Sequence, residues 1–268
     1  MIKAKKHFGQ NFLKDTDALV KIFEAIPFND NKLVEIGPGL GDLTKYLVKR
    51  KDVIAYEVDS ELVQHLSSEF VNEISNGKLD IVFGDVLNLW EKQKTLYDGK
   101  YDLVANLPYY IATNIILKAL EDSNCEHIIV MVQKEVAQKF ISNYGQSDYG
   151  ALSVIVKSIA SYSEILFDLP PQSFDPPPKV FSSVIFIKKN MDKKFDSGFN
   201  KFLKCCFVQP RKTLQKNLQC CVEKYTIEEV FETLEIDKKI RPHELSHSLF
   251  CLAYERIKNN ERRNDDKL

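Results

Sequence analysis

Residues 32–42, KLVEIGPGLGD, decide the fold of this chain. The mainly apolar run at 32–36 is typical of a buried strand, and it leads directly into a loop with glycine at three alternate positions. Glycine removes the side chain where a backbone must turn sharply and approach a ligand. A helix at about 43–50 and a second apolar strand at 53–57 follow the loop. This order of strand, loop, helix and strand predicts a doubly wound parallel α/β sheet.

The spacing of the glycines separates two classes of cofactor. A dinucleotide-binding loop has the form GxGxxG, whereas this loop has GxGxG and is preceded by Glu35. Methyltransferases that use S-adenosylmethionine have the form ExGxGxG, with an acidic residue at the end of the next strand. Glu57 ends that strand here, and its carboxylate is expected to accept hydrogen bonds from a ribose diol. The loop therefore favours S-adenosylmethionine, and a nicotinamide dehydrogenase is the disfavoured alternative.

Two further predicted strands, at 79–83 and 101–105, end on polar residues. Asp85 follows the first, and it is either an acceptor for the adenine amino group of a cofactor or an ordinary turn or cap residue. Asn106-Leu107-Pro108-Tyr109 follows the second. It is either an ordinary turn or a binding site, because it combines a carbonyl acceptor, a stiff turn and an aromatic face. Ligands bind beyond the carboxyl ends of strands in such sheets, so we expect both segments at one site.

The remaining elements before residue 188 continue the α/β pattern. Helices are predicted at about 16–26, 60–74, 111–120 and 133–140, strands at 127–132, 162–168 and 180–187, and an apolar segment at 151–160. The last two strands are expected to form an antiparallel pair that completes the sheet. Between them lies a loop with five prolines that holds Phe174. Phe174 is predicted to be either a second stacking surface or a buried loop anchor.

From Lys188 onward the sequence predicts only helices, at roughly 196–207, 211–221, 226–235 and 245–258. We therefore predict a domain boundary near 188–194, between an S-adenosylmethionine-dependent methyltransferase domain at 1–188 and a small helical domain at 189–268, which the family resemblance described below marks as RNA-binding. The segment from 188 to 224 contains ten basic residues and only three acidic residues. This excess is either a phosphate-binding surface or a solvated helix face. The net charge of −1 over 268 residues argues weakly against a protein whose whole surface is basic and binds nucleic acid.

Composition bounds the remaining possibilities. No apolar run reaches transmembrane length and the first residues lack a secretory signal, so a cytoplasmic protein with no membrane partner is expected. Six cysteines include the adjacent pairs Cys205-Cys206 and Cys220-Cys221, and we expect buried, reduced thiols that bind no metal. His243-Glu244-Leu245-Ser246-His247 matches the HExxH zinc motif. Pro242 puts the first histidine in the opening turn of a helix, which disfavours a metalloprotease.

Eight motifs in order carry a family resemblance. They are QNFL at 10–13, EIGPGLG at 35–41, GD at 84–85, NLPY at 106–109, QKEVA at 133–137, YGALSV at 149–154, Phe174 with PPPKV at 176–180, and RKTL at 211–214. Together they resemble the motifs of the KsgA-type small-subunit rRNA adenine dimethyltransferases, and they extend from the first residues to about residue 250. The resemblance implies a Rossmann-like class I methyltransferase sheet with a small C-terminal helical domain.

The resemblance also implies a reaction and a set of site residues. S-adenosylmethionine would donate methyl groups to N6 of two adjacent adenosines in the 3′-terminal hairpin loop of 16S rRNA, during small-subunit ribosome biogenesis. The residues implied in cofactor binding are Asn11, Leu13, Gly37, Gly39, Glu57, Asp85 and Asn106. Asn106 to Tyr109 and Phe174 would hold the target base, and Arg211, Lys212 and Lys216 would bind RNA. A monomer without a metal is expected.

Four positions depart from the family pattern. Tyr110 stands where asparagine is usual, Ala112 where serine is frequent, Phe181 where an acidic residue is usual, and Pro210 where a second arginine is common. These changes concern RNA contacts rather than methyl transfer.

Two alternatives remain open. One is a large-subunit (23S) rRNA adenine N6-methyltransferase of the macrolide-resistance type, and the other is a non-catalytic ribosome-assembly RNA-binding factor. Pyrimidine C5 methylation is disfavoured because no cysteine lies beside Pro108.

Overall fold

The computed structural model describes residues 2–265. The strands are β1 (Phe12–Leu13), β2 (Lys32–Ile36), β3 (Val53–Glu57), β4 (Leu79–Phe83), β5 (Tyr101–Asn106), β6 (Cys125–Gln133), β7 (Ala160–Leu169), β8 (Phe174–Asp175) and β9 (Ser182–Lys189). The α-helices are α1 (Thr16–Glu24), α2 (Thr44–Arg50), α3 (Ser60–Glu69), α4 (Val71–Ser75), α5 (Val86–Gln93), α6 (Ala112–Glu121), α7 (Lys134–Ile141), α8 (Ala151–Ile159), α9 (Ser197–Cys206), α10 (Leu214–Leu218), α11 (Lys224–Thr233) and α12 (His247–Asp265). None of these helices combines the length and the apolarity needed to cross a bilayer.

Seven strands form one sheet in the order β4-β3-β2-β5-β6-β9-β7. The first five are parallel to their neighbours, and β9 lies antiparallel to β6. The chain runs outward from β2 to β4 and then returns to the other side of β2 with β5. The carboxyl ends of β2 and β5 therefore border the switch point of the sheet, where ligands bind in open α/β folds. The predicted doubly wound sheet is confirmed.

The core explains why the central strands are nearly continuous apolar runs. Parallel strands are covered by helices on both faces, and all five residues of β3 are buried. Strand side chains such as Leu33, Val104 and Ile129 share one core cluster with the apolar face of α1. Asp15 caps α1 by accepting a hydrogen bond from the Ala18 N–H at 3.1 Å.

A separate two-stranded ladder joins the N-terminal segment to the proline-rich loop. In it Leu13 of β1 pairs with Phe174 of β8. Next to the ladder, the Ser173 hydroxyl donates a hydrogen bond to the Asp15 carboxylate at 2.7 Å. Phe174 is only 4 % exposed and belongs to the core, so it is a buried loop anchor. A contact between its ring and a target base stays a prediction.

Several element boundaries differ from the sequence predictions. The single helix expected at 60–74 is divided into α3 and α4 at Phe70, whose backbone leaves the helical region at φ −110° and ψ 32°. A Cβ atom at Gly41 would lie 2.6 Å from the Phe70 ring, so this residue packs closely against the glycine loop. Helix α5 was missed, because its short apolar pattern follows a turn aspartate that also serves as its cap.

The HExxH segment does not form a zinc-binding helix. Pro242–Glu244 is a 3₁₀ helix, Leu245 is extended at φ −96° and ψ 131°, and His247 begins α12. The two histidines therefore do not share the face of one helix, as the zinc motif requires.

A buried charge network lies at the amino end of the central strands. The Asp102 carboxylate is fully buried and contacts Asn31 Nδ2 at 2.9 Å, His127 Nδ1 at 2.8 Å and Lys51 Nζ at 3.2 Å. Burial by itself would raise the pKa of Asp102. The hydrogen bonds from His127 and Asn31 and the charge of Lys51 outweigh burial and hold that pKa below its ordinary value.

Residues 138–160 and 195 onward form a second compact unit, separate from the unit made by residues up to 137 with 161–194. Within it α8 packs on α9 and α12. The Tyr254 ring of α12 lies 5.3 Å from that of Phe199, and its hydroxyl bonds the Asp196 carboxylate that caps α9. This division falls at 194/195 and places α8 with the C-terminal helices. The functional boundary at 188/189 stays a prediction.

Exposure corrects two expectations about particular side chains. Cys125 and Cys206 are buried as predicted, but Cys220 and Cys221 are exposed, because they follow the end of α10 on its solvent side. Lys189 does not belong to the predicted basic surface. Its ammonium is buried and donates to the backbone carbonyls of Ala119 and Asp122 beyond the last turns of α6.

Candidate active site

An open pocket of about 1110 Å³, including its solvent-filled mouth, lies at the carboxyl ends of β2, β3 and β5. Its walls come from five segments that are far apart in sequence, at 8–13, 35–43, 56–62, 84–87 and 106–111. The structure thus brings together the predicted residues Asn11, Leu13, Gly37, Gly39, Glu57, Asp85, Asn106, Leu107, Pro108 and Tyr109. It does not bring Phe174 into this wall. Arg211, Lys212 and Lys216 belong to the other unit and are exposed.

The glycine loop has the geometry that its sequence predicts. Gly37, Gly39 and Gly41 have φ values of 68°, 60° and 84°, which lie in the left-handed region that other residues avoid. A Cβ atom at Gly39 would also lie 2.9 Å from the Phe12 ring. The loop therefore needs glycine both for its backbone and for the close approach of the N-terminal segment.

Glu57 ends β3 and faces the pocket with a buried carboxylate. Oε1 accepts hydrogen bonds from the backbone N–H groups of Val58 at 2.9 Å and Asp59 at 3.0 Å. Oε2 has only a long contact of 3.3 Å with the Gly39 N–H. Burial raises the pKa of Glu57, and the backbone donors partly oppose this. Oε2 remains able to accept a hydrogen bond from a hydroxyl group in the pocket.

Asp59 is a site residue that the sequence analysis did not single out. Its buried carboxylate accepts hydrogen bonds from Lys5 Nζ at 2.7 Å and from Gln10 Nε2 at 3.0 Å. Gln10 Oε1 in turn accepts from the Lys5 backbone N–H at 2.7 Å. This network holds the N-terminal segment against the end of β3. The sequence signal that could have identified Asp59 is its position, since it is a second acidic residue two positions after Glu57.

Asp85 is a helix cap, which is one of the two alternatives considered for it, and its contact with a cofactor stays a prediction. Its Oδ1 accepts from the Leu87 N–H at 2.9 Å and caps α5. Its carboxylate also lines the pocket and is exposed there. Because the cap contacts use only Oδ1, the second oxygen is available to an amino group of a ligand.

The Asn106 side chain has a defined orientation. Its Nδ2 donates to the backbone carbonyl of Asn11 at 2.9 Å, and since a carbonyl oxygen only accepts, this contact places Oδ1 as the free acceptor. The Leu107 N–H donates to the Met131 carbonyl at 3.2 Å. The Leu107 carbonyl receives no hydrogen bond from the groups that the structure describes, so Asn106 and Leu107, which both line the pocket, each carry one such acceptor.

Tyr109 is held by a contact that sequence reasoning could not find. Its hydroxyl lies 2.6 Å from the Ser182 hydroxyl of β9, and the ring lines the pocket. Ser182 is 73 positions away in sequence and is completely buried. Tyr110, one of the departures from the family pattern, is exposed, and its ring packs against Gly9, where a Cβ atom would lie 3.1 Å away.

Glu35 lies beneath the pocket as a buried carboxylic acid. Thr44 Oγ1 donates to its Oε2 at 2.7 Å. Burial raises the pKa of Glu35 from 4.5 to about 8, with a further contribution from the nearby Glu57 charge. The group is therefore protonated at neutral pH in the folded protein.

The Glu35→Gln variant is expected to weaken the pH dependence of stability. Between pH 4.5 and about 8 the folded chain keeps a proton that the unfolded chain has released, so stability falls as pH rises through this window. Glutamine is neutral throughout, which removes this contribution. Melting temperatures measured from pH 5 to 8 should decrease less in the variant than in the wild type. The exposed Glu91→Gln variant is the control, and identical pH profiles in all three proteins would contradict the prediction.

The amino-acid sequence matches the model of a protein family over almost its whole length. The family is described as ribosomal RNA adenine dimethylase, and the match covers residues 1–259. A protein of Aliarcobacter butzleri named "Ribosomal RNA small subunit methyltransferase A" is 57 % identical over 96 % of this chain and 97 % of its own length. The protein of the same name from Sulfurimonas denitrificans is 52 % identical, over 94 % of each chain.

Two solved structures share the fold. A dimethyladenosine transferase from Plasmodium falciparum superposes with a TM-score of 0.77 at 26 % identity, over 90 % of this chain and 95 % of its own. The 23S rRNA methyltransferase ErmE superposes with a TM-score of 0.70 at 22 % identity, over 92 % of this chain and all of its own. At this identity the second similarity concerns the fold alone.

Proposed function

The chain belongs to the ribosomal RNA adenine dimethylase family, and on this premise we propose that it dimethylates N6 of two adjacent adenosines in the 3′-terminal hairpin loop of 16S rRNA. It is an S-adenosylmethionine-dependent rRNA adenine dimethyltransferase. The observation that carries the proposal is the single pocket that unites the glycine loop and Glu57 with Asn106 and the free Leu107 carbonyl. The high identity to small-subunit relatives favours this substrate over 23S rRNA.

The pocket fits S-adenosylmethionine by its donor and acceptor groups. Glu57 Oε2 would accept from the ribose hydroxyls, and the free oxygen of Asp85 would accept from the adenine amino group. Gly37 and Gly39 line the pocket with backbone alone, which lets a ligand approach the loop closely. When bound, the cofactor supplies an electrophilic methyl group on a sulfonium.

The target amine would be held by the two acceptors of the NLPY segment. An adenine amine is a poor nucleophile because its lone pair is delocalised into the ring. Asn106 Oδ1 and the Leu107 carbonyl would accept its two hydrogens, which favours a pyramidal nitrogen with its lone pair directed at the methyl group. The Tyr109 ring, positioned by Ser182, would stack on the base, which must leave its RNA stack to enter.

The residues of the pocket need not supply a strong base. The amine becomes acidic only after it has gained a methyl group, so its proton can leave to solvent afterwards. Positioning and electrostatic stabilisation by Asn106 and Leu107 would therefore account for most of the rate enhancement. We propose that methyl transfer uses no metal ion and that the chain acts as a monomer in the cytoplasm.

Arg211, Lys212 and Lys216 are proposed to bind rRNA phosphates, because all three are exposed and none forms an ion pair with the side chains that the structure describes, at 2–5 and 7–260. Replacing Arg211 and Lys212 by glutamine should weaken binding to an rRNA hairpin at every salt concentration. The slope of log K against log salt should become shallower by about 1 for each phosphate that is no longer neutralised. Fluorescence anisotropy from low to high salt measures both. Lys92→Gln, exposed in the other unit, is the control, and an unchanged slope in the double variant would overturn this assignment.

Incubation with both purified ribosomal subunits and radiolabelled S-adenosylmethionine tests the proposed substrate. We expect label in the small-subunit rRNA alone. Label confined to the large-subunit rRNA would support the macrolide-resistance type. A protein that binds RNA but neither binds the cofactor in a titration nor transfers label would be a non-catalytic assembly factor.

A further inference from the structure

Three cysteines of the helical unit form a cluster outside the methyltransferase pocket. Cys205 lies in the last turn of α9, and Cys220 and Cys221 follow the end of α10. The three Sγ atoms all lie within 4.8 Å of one another. They come from two segments separated by 14 residues, so the fold rather than the sequence brings them together.

We propose that Cys205, Cys220 and Cys221 form a binding site for Zn²⁺, with water as the fourth ligand. Zinc–thiolate bonds of about 2.3 Å in a tetrahedron place the sulfur atoms about 3.8 Å apart. The observed separations need to close by at most about 1 Å to reach that geometry. Cys220 and Cys221 are exposed, so their side chains can rotate to make this adjustment without repacking the core.

A metal site and a disulfide would use different numbers of the three sulfur atoms. A disulfide would use two of the three sulfur atoms and leave the third, whereas one thiophilic ion with tetrahedral geometry uses all three. The fourth thiol of the two pairs, Cys206, is buried and lies outside the group. Three cysteine ligands would leave the fourth tetrahedral position of the metal ion open to solvent, where water can bind.

Binding would replace hydrogen bonds that the free thiols now make. The Cys220 thiol donates to the Asn217 carbonyl at 3.0 Å and the Cys221 thiol to the Leu218 carbonyl at 3.5 Å. Each thiol that binds zinc releases its proton to solvent, and no electrons are transferred. Three thiolates and one Zn²⁺ carry a net charge of −1.

Co²⁺ titration of the reduced, metal-free full-length protein under anaerobic conditions tests the site. We expect one equivalent of Co²⁺ to produce the near-ultraviolet thiolate-to-cobalt charge-transfer band, and one equivalent of Zn²⁺ to abolish it. The Cys205→Ser, Cys220→Ser and Cys221→Ser variants should each lower the affinity at least tenfold. Cys251→Ser, a half-buried thiol of the same unit outside the cluster, should behave as the wild type. No band, or a band insensitive to all three substitutions, would overturn the proposal.

Alkylation of the unmodified chain gives an independent test that does not depend on the folding of variants. Iodoacetamide with peptide mass spectrometry reports the reaction rate of each cysteine separately. One equivalent of Zn²⁺ should slow alkylation of Cys205, Cys220 and Cys221 together and leave Cys251 unchanged. Equal rates with and without Zn²⁺ at the three cluster thiols would overturn the site, whatever the activity of the enzyme.

Discussion

The Asn106→Ala variant is expected to lose methyl transfer on the order of 10³-fold in kcat, with its affinity for rRNA within about twofold of the wild type. Alanine removes the Oδ1 acceptor proposed for the adenine amine. It also removes the Nδ2 donor that bonds the Asn11 carbonyl at 2.9 Å and fixes the side chain. Because no other group in the pocket has been assigned to replace this acceptor, the loss should appear in the chemical step rather than in RNA binding.

Single-turnover kinetics at saturating cofactor measure the Asn106→Ala effect without a contribution from weaker cofactor binding. Asn88→Ala is the matched control, since Asn88 is an exposed asparagine on α5 outside the pocket. Its turnover should equal that of the wild type. Near-normal single-turnover rates in Asn106→Ala would remove this residue from the proposed mechanism.

The Asp102→Ala variant should lose about 3–5 kcal/mol of the free energy of unfolding. It would leave the Lys51 ammonium and the His127 ring, which are 10 % and 5 % exposed, without their buried carboxylate partner. The buried Asn31 amide would also be left without the acceptor that lies 2.9 Å from its Nδ2. Lys51 Nζ keeps its hydrogen bond to Asn29 Oδ1, and Asn31 Nδ2 keeps one to Glu126 Oε2 at 3.1 Å. The loss of the buried carboxylate that balances the Lys51 charge therefore accounts for the size of the expected effect.

Urea denaturation at neutral pH measures the Asp102 effect. Asp80→Ala is the control, because Asp80 lies on the edge strand β4 with an exposed side chain, and it should change stability by less than about 0.5 kcal/mol. Asp102 lies at the end of the sheet opposite the pocket. The variant that remains folded should therefore keep its turnover, and a decrease in stability of less than about 1 kcal/mol would contradict the network's importance.

The sequence predicted the sheet well because its strands are buried on both faces. Continuous apolar runs such as 32–36 and 53–57 match β2 and β3 at both ends. The carboxyl ends of such strands face one side, so Glu57 and Asn106 could be placed at one site before any distance was known. The ends of the helices were predicted less exactly. The helix expected at 60–74 is divided at Phe70, where the ring packs against the glycine loop.

Contacts between residues far apart in sequence could not be predicted. Asp102 and Asn31 form a hydrogen bond across 71 positions of sequence, and Tyr109 and Ser182 form one across 73 positions. No local sequence pattern predicts either pair. Phe174 shows the same limit. A stiff proline-rich loop suits an aromatic wall and a buried anchor equally, and only the pairing of β8 with Leu13 distinguishes them.

Nucleoside mass spectrometry of small-subunit rRNA tests the central claim most directly. Undermethylated small subunits would be incubated with S-adenosylmethionine and either the wild-type chain or Asn106→Ala. We predict N6,N6-dimethyladenosine at two adjacent positions of the 3′-terminal hairpin loop with the wild type, and none above background with the variant. Methylation at another base or another ring atom, or equal products from both proteins, would contradict the account.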